Sequence, residues 1–161
     1  MDAIAERTTE AILTDVLASR PQVRAHLDAA WNAAWDCVDP VLLELCRLRV
    51  AMLLRCDAEM NSRTDVATAA GLDEKTIAAL ADWPISDRFG PRERACLAFA
   101  EQFVIDVAGL DTATADGVRE GLGDAGLIDF TNALLVIEQR IRRRLVWTRL
   151  FASPGSADPA Q

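Results

Sequence analysis

The 161-residue chain contains no tyrosine, one histidine (His26) and one lysine (Lys75). A zinc site needs several nitrogen or sulfur ligands at set spacing, so a lone His26 reads as a surface or packing residue, and neither a metal nor another cofactor is expected. The four cysteines stand at 37, 46, 56 and 96, and no two form a C-x-x-C. Free thiols in a reducing compartment are expected of them. No apolar run reaches the ~18–20 residues of a membrane span. Met1 to Ala18 has neither the basic nor the apolar region of a signal peptide. A cytoplasmic location with no membrane contact is therefore expected. A formal net charge of −8 and a pI near 4.6 argue against a nucleic-acid partner, which would need clustered cations.

Strand signals are lacking too, since no run alternates with period two. A 51% hydrophobic and 26% charged composition instead suits a globular core, and helical spacing recurs throughout. A first helix is expected from about Ala3 to Leu17. Pro21 opens a second, carrying Val23, Leu27, Trp31 and Trp35 at intervals of four, with the tryptophans in a core or an interface. Asp39-Pro40 is an N-cap acid followed by proline at the first helical position, so it starts a third helix to about Leu54. That helix is apolar on nearly every side, as buried helices are.

Gly71 closes the next helix, and Asp73 caps a short one through Leu80. Trp83 to Phe89 reads as a loop. Gly90-Pro91 opens a helix with Cys96, Phe99, Phe103 and Val107 on one face, ended by Gly109. A helix from Ala113 to Glu120 and a long one from Leu127 to about Phe151 complete the set, the latter with a stripe of Phe130, Leu134, Ile137, Ile141 and Leu145. The expectation is an all-α, compact helical bundle in one domain over 1–151, with 152–161 a disordered tail.

Two signals are set aside. Gly121-Leu-Gly-Asp-Ala-Gly126 matches G-x-G-x-x-G, which has meaning only inside a βαβ unit. Here Gly121 ending one helix and Asp124 starting the next explains it. The basic segment Arg140, Arg142, Arg143, Arg144 and Arg149 reads as a solvated face or subunit contact, with anion binding as the alternative and a Glu138–Arg142 pair within it.

Polar groups inside apolar helices need a reason. Glu44 interrupts Val-Leu-Leu-Glu-Leu-Cys and either pairs with Arg47 one turn on or is a functional carboxylate with a raised pKa. Glu101 is a weaker case of the same kind. Cys56 lies at the junction of two helices, where the helix dipole lowers a thiol's pKa; Glu59 opposes that effect and Arg63 favours it. Cys37, Cys46 and Cys96 read as small core residues.

The stretch Glu44-Leu-Cys-Arg-Leu-Arg-Val-Ala-Met-Leu-Leu-Arg-Cys56-Asp-Ala-Glu59-Met-Asn-Ser-Arg63, with Phe89-Gly-Pro-Arg-Glu-Arg-Ala-Cys-Leu-Ala-Phe-Ala-Glu101, resembles the alkylhydroperoxidase D-like or carboxymuconolactone decarboxylase superfamily. The likeness is good over about Val38 to Ala108. It implies an all-α fold, frequent homo-oligomers and a small-molecule substrate. Members that are peroxidases carry a glutamate, a C-x-x-C and a histidine one turn later. Glu44 matches the glutamate and Cys56 the first cysteine, while Glu59 stands at the second cysteine and Arg63 at the histidine.

A two-cysteine cycle needs a resolving thiol, and arginine cannot shuttle protons at neutral pH. The resemblance thus implies a reworked site. Glu44, Cys56 and Glu59 become the catalytic candidates, with the two glutamates as an acid–base pair. Arg63 either holds an anionic substrate or pairs with Glu59, to which it stands i,i+4. Acid–base chemistry on, or binding of, a small organic acid is the leading expectation. One-cysteine peroxidase activity through Cys56, with Cys46 as a candidate resolver, is the second. A non-catalytic oligomeric module, with Trp31, Trp35 and Trp147 at its interface, is the third.

Overall fold

A computed structural model describes residues 9–151. Eight helices follow one another: α1 (Thr9–Ala18), α2 (Pro21–Cys37), α3 (Pro40–Leu53), α4 (Asp57–Met60), α5 (Asp65–Ala69), α6 (Glu74–Ala78), α7 (Pro91–Ile105) and α8 (Thr112–Phe151). Short 3₁₀ turns cover Ala79–Asp82 and Val107–Gly109. There is no strand among the described residues, and no helix there is long and apolar enough to cross a membrane. The chain is an all-α bundle.

The centre is α3. Its Asp39 cap accepts the Leu42 N–H at 2.9 Å and Pro40 fills the first helical position. Leu42, Leu43, Leu45, Leu48 and Val50 are all at most 2% exposed, as the all-round apolar sequence predicts. Helices α7 and α8 pack on it, and α8 also lies along α1 and α2. Phe130 of α8 meets Phe99 of α7 at 5.8 Å between ring centroids. The expected stripe of α8 is buried from Phe130 through Ile141.

Several expectations need correction. The predicted start of the first helix, at Ala3, lies outside the described residues. Cys37 is exposed rather than in the core, because it ends α2 beside exposed Asp36. The single helix expected before Gly71 is two short ones, α4 and α5. Val107 is exposed in a 3₁₀ turn, because α7 stops at Ile105. The break expected at Gly121 falls at Gly123, whose φ of 77° lies in the left-handed region, and helical structure continues on both sides.

Two turns close their helices in the same way with different residues. After α5, Gly71 (φ 97°) donates to Thr68 O and Leu72 to Ala67 O, each at 3.1 Å. After α3, Arg55 (φ 54°) donates to Met52 O at 3.2 Å and Cys56 to Ala51 O at 2.9 Å. Both are Schellman closures. The second places a side-chain-bearing residue where glycine is favoured, and so delivers Cys56 to the start of α4. On the far side, Arg94 ties down the Trp83–Phe89 loop by donating to the carbonyls of Phe89, Trp83, Pro84 and Ser86.

Candidate functional site

Arg47, on α3, is 1% exposed and organises the motif positions. Its Nε and Nη2 donate to Glu44 Oε2 and Oε1 at 2.8 and 2.7 Å, a two-pronged pair within one helix turn. Its Nη1 donates to Glu59 Oε2 at 2.5 Å and to the Glu59 carbonyl at 3.1 Å, and its Nη2 to the Ser62 carbonyl at 2.9 Å. Burial alone would depress this guanidinium's pKa, but the hydrogen bonds and charges of Glu44 and Glu59 outweigh it and hold the pKa above its usual value. The chain from Met60 to Thr64 is thereby fastened to α3.

Glu44 also accepts from the Thr64 N–H and hydroxyl, each at 3.1 Å. Its carboxylate is fully occupied. Glu59, 2% exposed, meets three arginines: Arg47 on one oxygen, and Arg140 Nε at 3.2 Å and Arg144 Nη1 at 2.9 Å on the other. Arg144 Nη2 further pairs with Glu10 of α1. Glu44 and Glu59 are therefore bridged by Arg47, and neither is bonded to the other.

The i,i+4 pair expected between Glu59 and Arg63 does not form, because α4 ends at Met60 and the helical spacing is lost. Arg63 pairs with Glu74 at 2.8 and 3.0 Å and donates to the Met60 and Ser62 carbonyls. Glu101 holds α7 to its neighbours, accepting from Arg49 Nε and, at 2.8 Å, from Trp83 Nε1.

Cys56 is 3% exposed at the N-cap of α4. The dipole effect expected there does not prevail. Burial pushes its thiol above the ordinary value; the Glu59 backbone N–H and Arg144 pull it back, while the Glu59 and Asp57 carboxylates push it further up. A four-residue helix supplies little dipole to offset burial. Burial also pushes Cys46 well up and Cys96 to about 12. After burial, Cys96 and Glu93 of α7 add to the upward shift of Cys46, the candidate resolver, which is fully buried within α3.

Two large cavities meet at Arg144, which together with Arg140 also lines a smaller one of about 140 Å³. The first, about 530 Å³, is lined by Trp31, Trp35, Glu59, Arg63, Arg140 and Arg144 among others. The Arg140 guanidinium lies 4.3 Å over the Trp31 ring, a cation–π contact. The indole N–H of Trp35 and the Nε of Arg144 are buried without a hydrogen-bond partner among the described residues. The second cavity, about 760 Å³, holds Cys56. The four candidates are thus divided: Glu59 and Arg63 line the first cavity, Cys56 lines the second, and Glu44 lines neither. No group of three or more His, Cys, Asp or Glu that could hold a metal occurs among the described residues.

Arg140 and Arg144 were not singled out from the basic segment. A signal was available, since Arg144 is three residues beyond Ile141 and seven beyond Ile137, in phase with the buried stripe.

A bundle of this kind, with a glutamate on its central helix and a cysteine at the next helix junction, defines a class. The carboxymuconolactone decarboxylase family model matches residues 21–102, just over half of the chain. The chain belongs to the carboxymuconolactone decarboxylase family.

Among solved structures, a protein of unknown function from Agrobacterium tumefaciens, assigned provisionally as the antioxidant defence protein AhpD, superposes with a TM-score of 0.70 at 18% identity, covering 89% of this chain and 97% of that one. The debrominase Bmp8 superposes with a TM-score of 0.71 at 19% identity, covering 92% of this chain and 77% of that one. A cysteine-to-alanine variant of Bmp8 in complex with 2,3,4-tribromopyrrole gives the same TM-score at 18% identity and the same coverage. At these identities the likeness concerns the fold. A search of curated proteins finds no match.

Proposed function

We propose that this family member recognises a small organic acid in the 530 Å³ cavity, and that its altered motif positions build the cavity wall in place of a dithiol cycle. The observation that carries this reading is a set of donors without acceptors. Trp35 Nε1 is buried and unpaired, and Arg140, one-third exposed, gives its Nε to Glu59 and lays its guanidinium face over Trp31, which leaves its terminal amino groups for a ligand. A carboxylate is the ligand group that such donors bind best, accepting two bonds from one guanidinium. Trp31 adds a flat apolar wall.

In this reading Glu59 orients Arg140 and Arg144, and Arg47 with Glu44 anchors Glu59. Arg63 borders the cavity while held by Glu74. Of the two glutamates, only Glu59 lines this cavity. Dithiol peroxide reduction has no resolving thiol at this position.

Isothermal titration with a panel of mono- and dicarboxylic acids tests the proposal. Binding by at least one acid is expected, weakened about tenfold or more by Arg140→Gln, the scale of a lost charged hydrogen bond, and less by Trp35→Phe. Absence of binding across the panel, or binding unchanged in both variants, contradicts it.

A further inference from the structure

The second cavity is unlike the first. One side is apolar, formed by Leu54, Leu145, Val146 and Leu150. Val146 and Leu150 remain 51% and 64% exposed. Cations gather around it: Arg55 and Arg149 have no ion pair among the described residues, Arg144 keeps its buried Nε unpaired, and Asp57 is the one acid in the lining. The Thr148 hydroxyl is also buried without a partner. In a chain of net charge −8, an apolar wall with unneutralised arginines and a spare hydroxyl is a local inversion of the overall charge.

We infer that this cavity binds a medium-chain fatty carboxylate, its chain along Leu54, Val146 and Leu150 and its head group between Arg149 and Arg55. The volume of about 760 Å³ is that of a small-molecule site. The apolar wall alone would fit any hydrophobe, and the unpaired cations select an anionic one. A second copy of the chain is the other candidate occupant of the exposed Val146 and Leu150 face, and self-association distinguishes it. Residues 152–161 (Ala-Ser-Pro-Gly-Ser-Ala-Asp-Pro-Ala-Gln) carry no large apolar side chain to fill it. Cys56 borders the site as a protonated thiol, consistent with apolar surroundings.

Titration calorimetry of the full chain with decanoate, acetate and decanol tests this. Decanoate is expected to bind, with acetate and decanol each weaker by about tenfold or more, because each lacks one of the two recognition elements. Arg149→Ala and Val146→Glu are both exposed substitutions that leave the core intact, and each is expected to weaken decanoate by about tenfold. Trp35→Phe, in the other cavity, is expected to leave it unchanged.

Absence of decanoate binding overturns the inference, as does equal binding of decanol. Decanoate binding lost in Trp35→Phe but kept in Arg149→Ala places the ligand in the first cavity and also overturns it. Concentration-dependent self-association that Val146→Glu abolishes, without decanoate binding, would show a second copy as the occupant. Because the variants fall in different cavities, failure here is distinguishable from failure of organic-acid recognition.

Discussion

The two cavities on either side of Arg144 differ in how their charges are matched. On the first, Arg47, Arg63 and Arg144 each meet a carboxylate: Glu44 and Glu59, Glu74, and Glu59 with Glu10. On the second, Arg55 and Arg149 meet none among the described residues. Matched charges that are buried act as structure, since their energy is already committed to holding segments together. What remains for a ligand on that side is the small surplus at Arg140 and Trp35. Glu59 is the centre of that matching, since it neutralises arginines from both α3 and α8.

The largest way to break this contrast is to remove its keystone. Arg47→Met leaves Glu44 and Glu59 buried without their shared cation, and is expected to cost about 3–5 kcal/mol of stability in urea denaturation. Arg49→Met, two residues along the same helix, breaks a bridge to Glu101 whose partners are about one-fifth exposed, and is expected to cost about 1–2 kcal/mol. Equal losses would mean that Arg47 holds nothing that Arg49 does not.

Cys56 gives the next test. Its thiol pKa is raised by burial from the ordinary 9.0. The folded chain therefore retains a proton that the unfolded chain gives up, so this contribution to stability is complete below about pH 9 and declines as pH rises further. Native alkylation followed by mass spectrometry should show exposed Cys37 reacting readily near neutral pH, with Cys56 lagging until the pH exceeds 9.0. Fast reaction of Cys56 at neutral pH would favour a one-cysteine redox role instead.

The smallest expected effect compares the two helix closures. Arg55→Gly should stabilise the chain by up to about 1 kcal/mol, by relieving a left-handed conformation that glycine adopts freely. Denaturation midpoints of the variant and the parent check it. A destabilised variant would show that the Arg55 side chain makes a compensating contact.

Much of this architecture is legible before any coordinates. The Asp39-Pro40 start, the burial of α3 and the stripe of α8 all follow from local capping and 3.6-residue periodicity. Glu44–Arg47 pairing is one of the two outcomes its spacing suggests. What was not legible depended on where helices stop and what crosses between them. The Glu59–Arg63 pair assumed a helix that ends at Met60. Arg140 and Arg144 sat inside a charge run that reads as solvated, and only the approach of α8 to α4 turns them inward. Cys56 sits at a helix start as expected, but the burial that decides its titration comes from distant segments.

We propose that Arg47 is committed to the protein while Arg140 and the Trp35 side chain serve a ligand in the first cavity. This is tested most directly by NMR of the arginine Nε–H and tryptophan indole N–H groups during titration with a carboxylic acid that binds. The account predicts that the Trp35 indole and Arg140 resonances shift with ligand while the Arg47 resonance stays in place. Movement of Arg47 with Trp35 unmoved would contradict it.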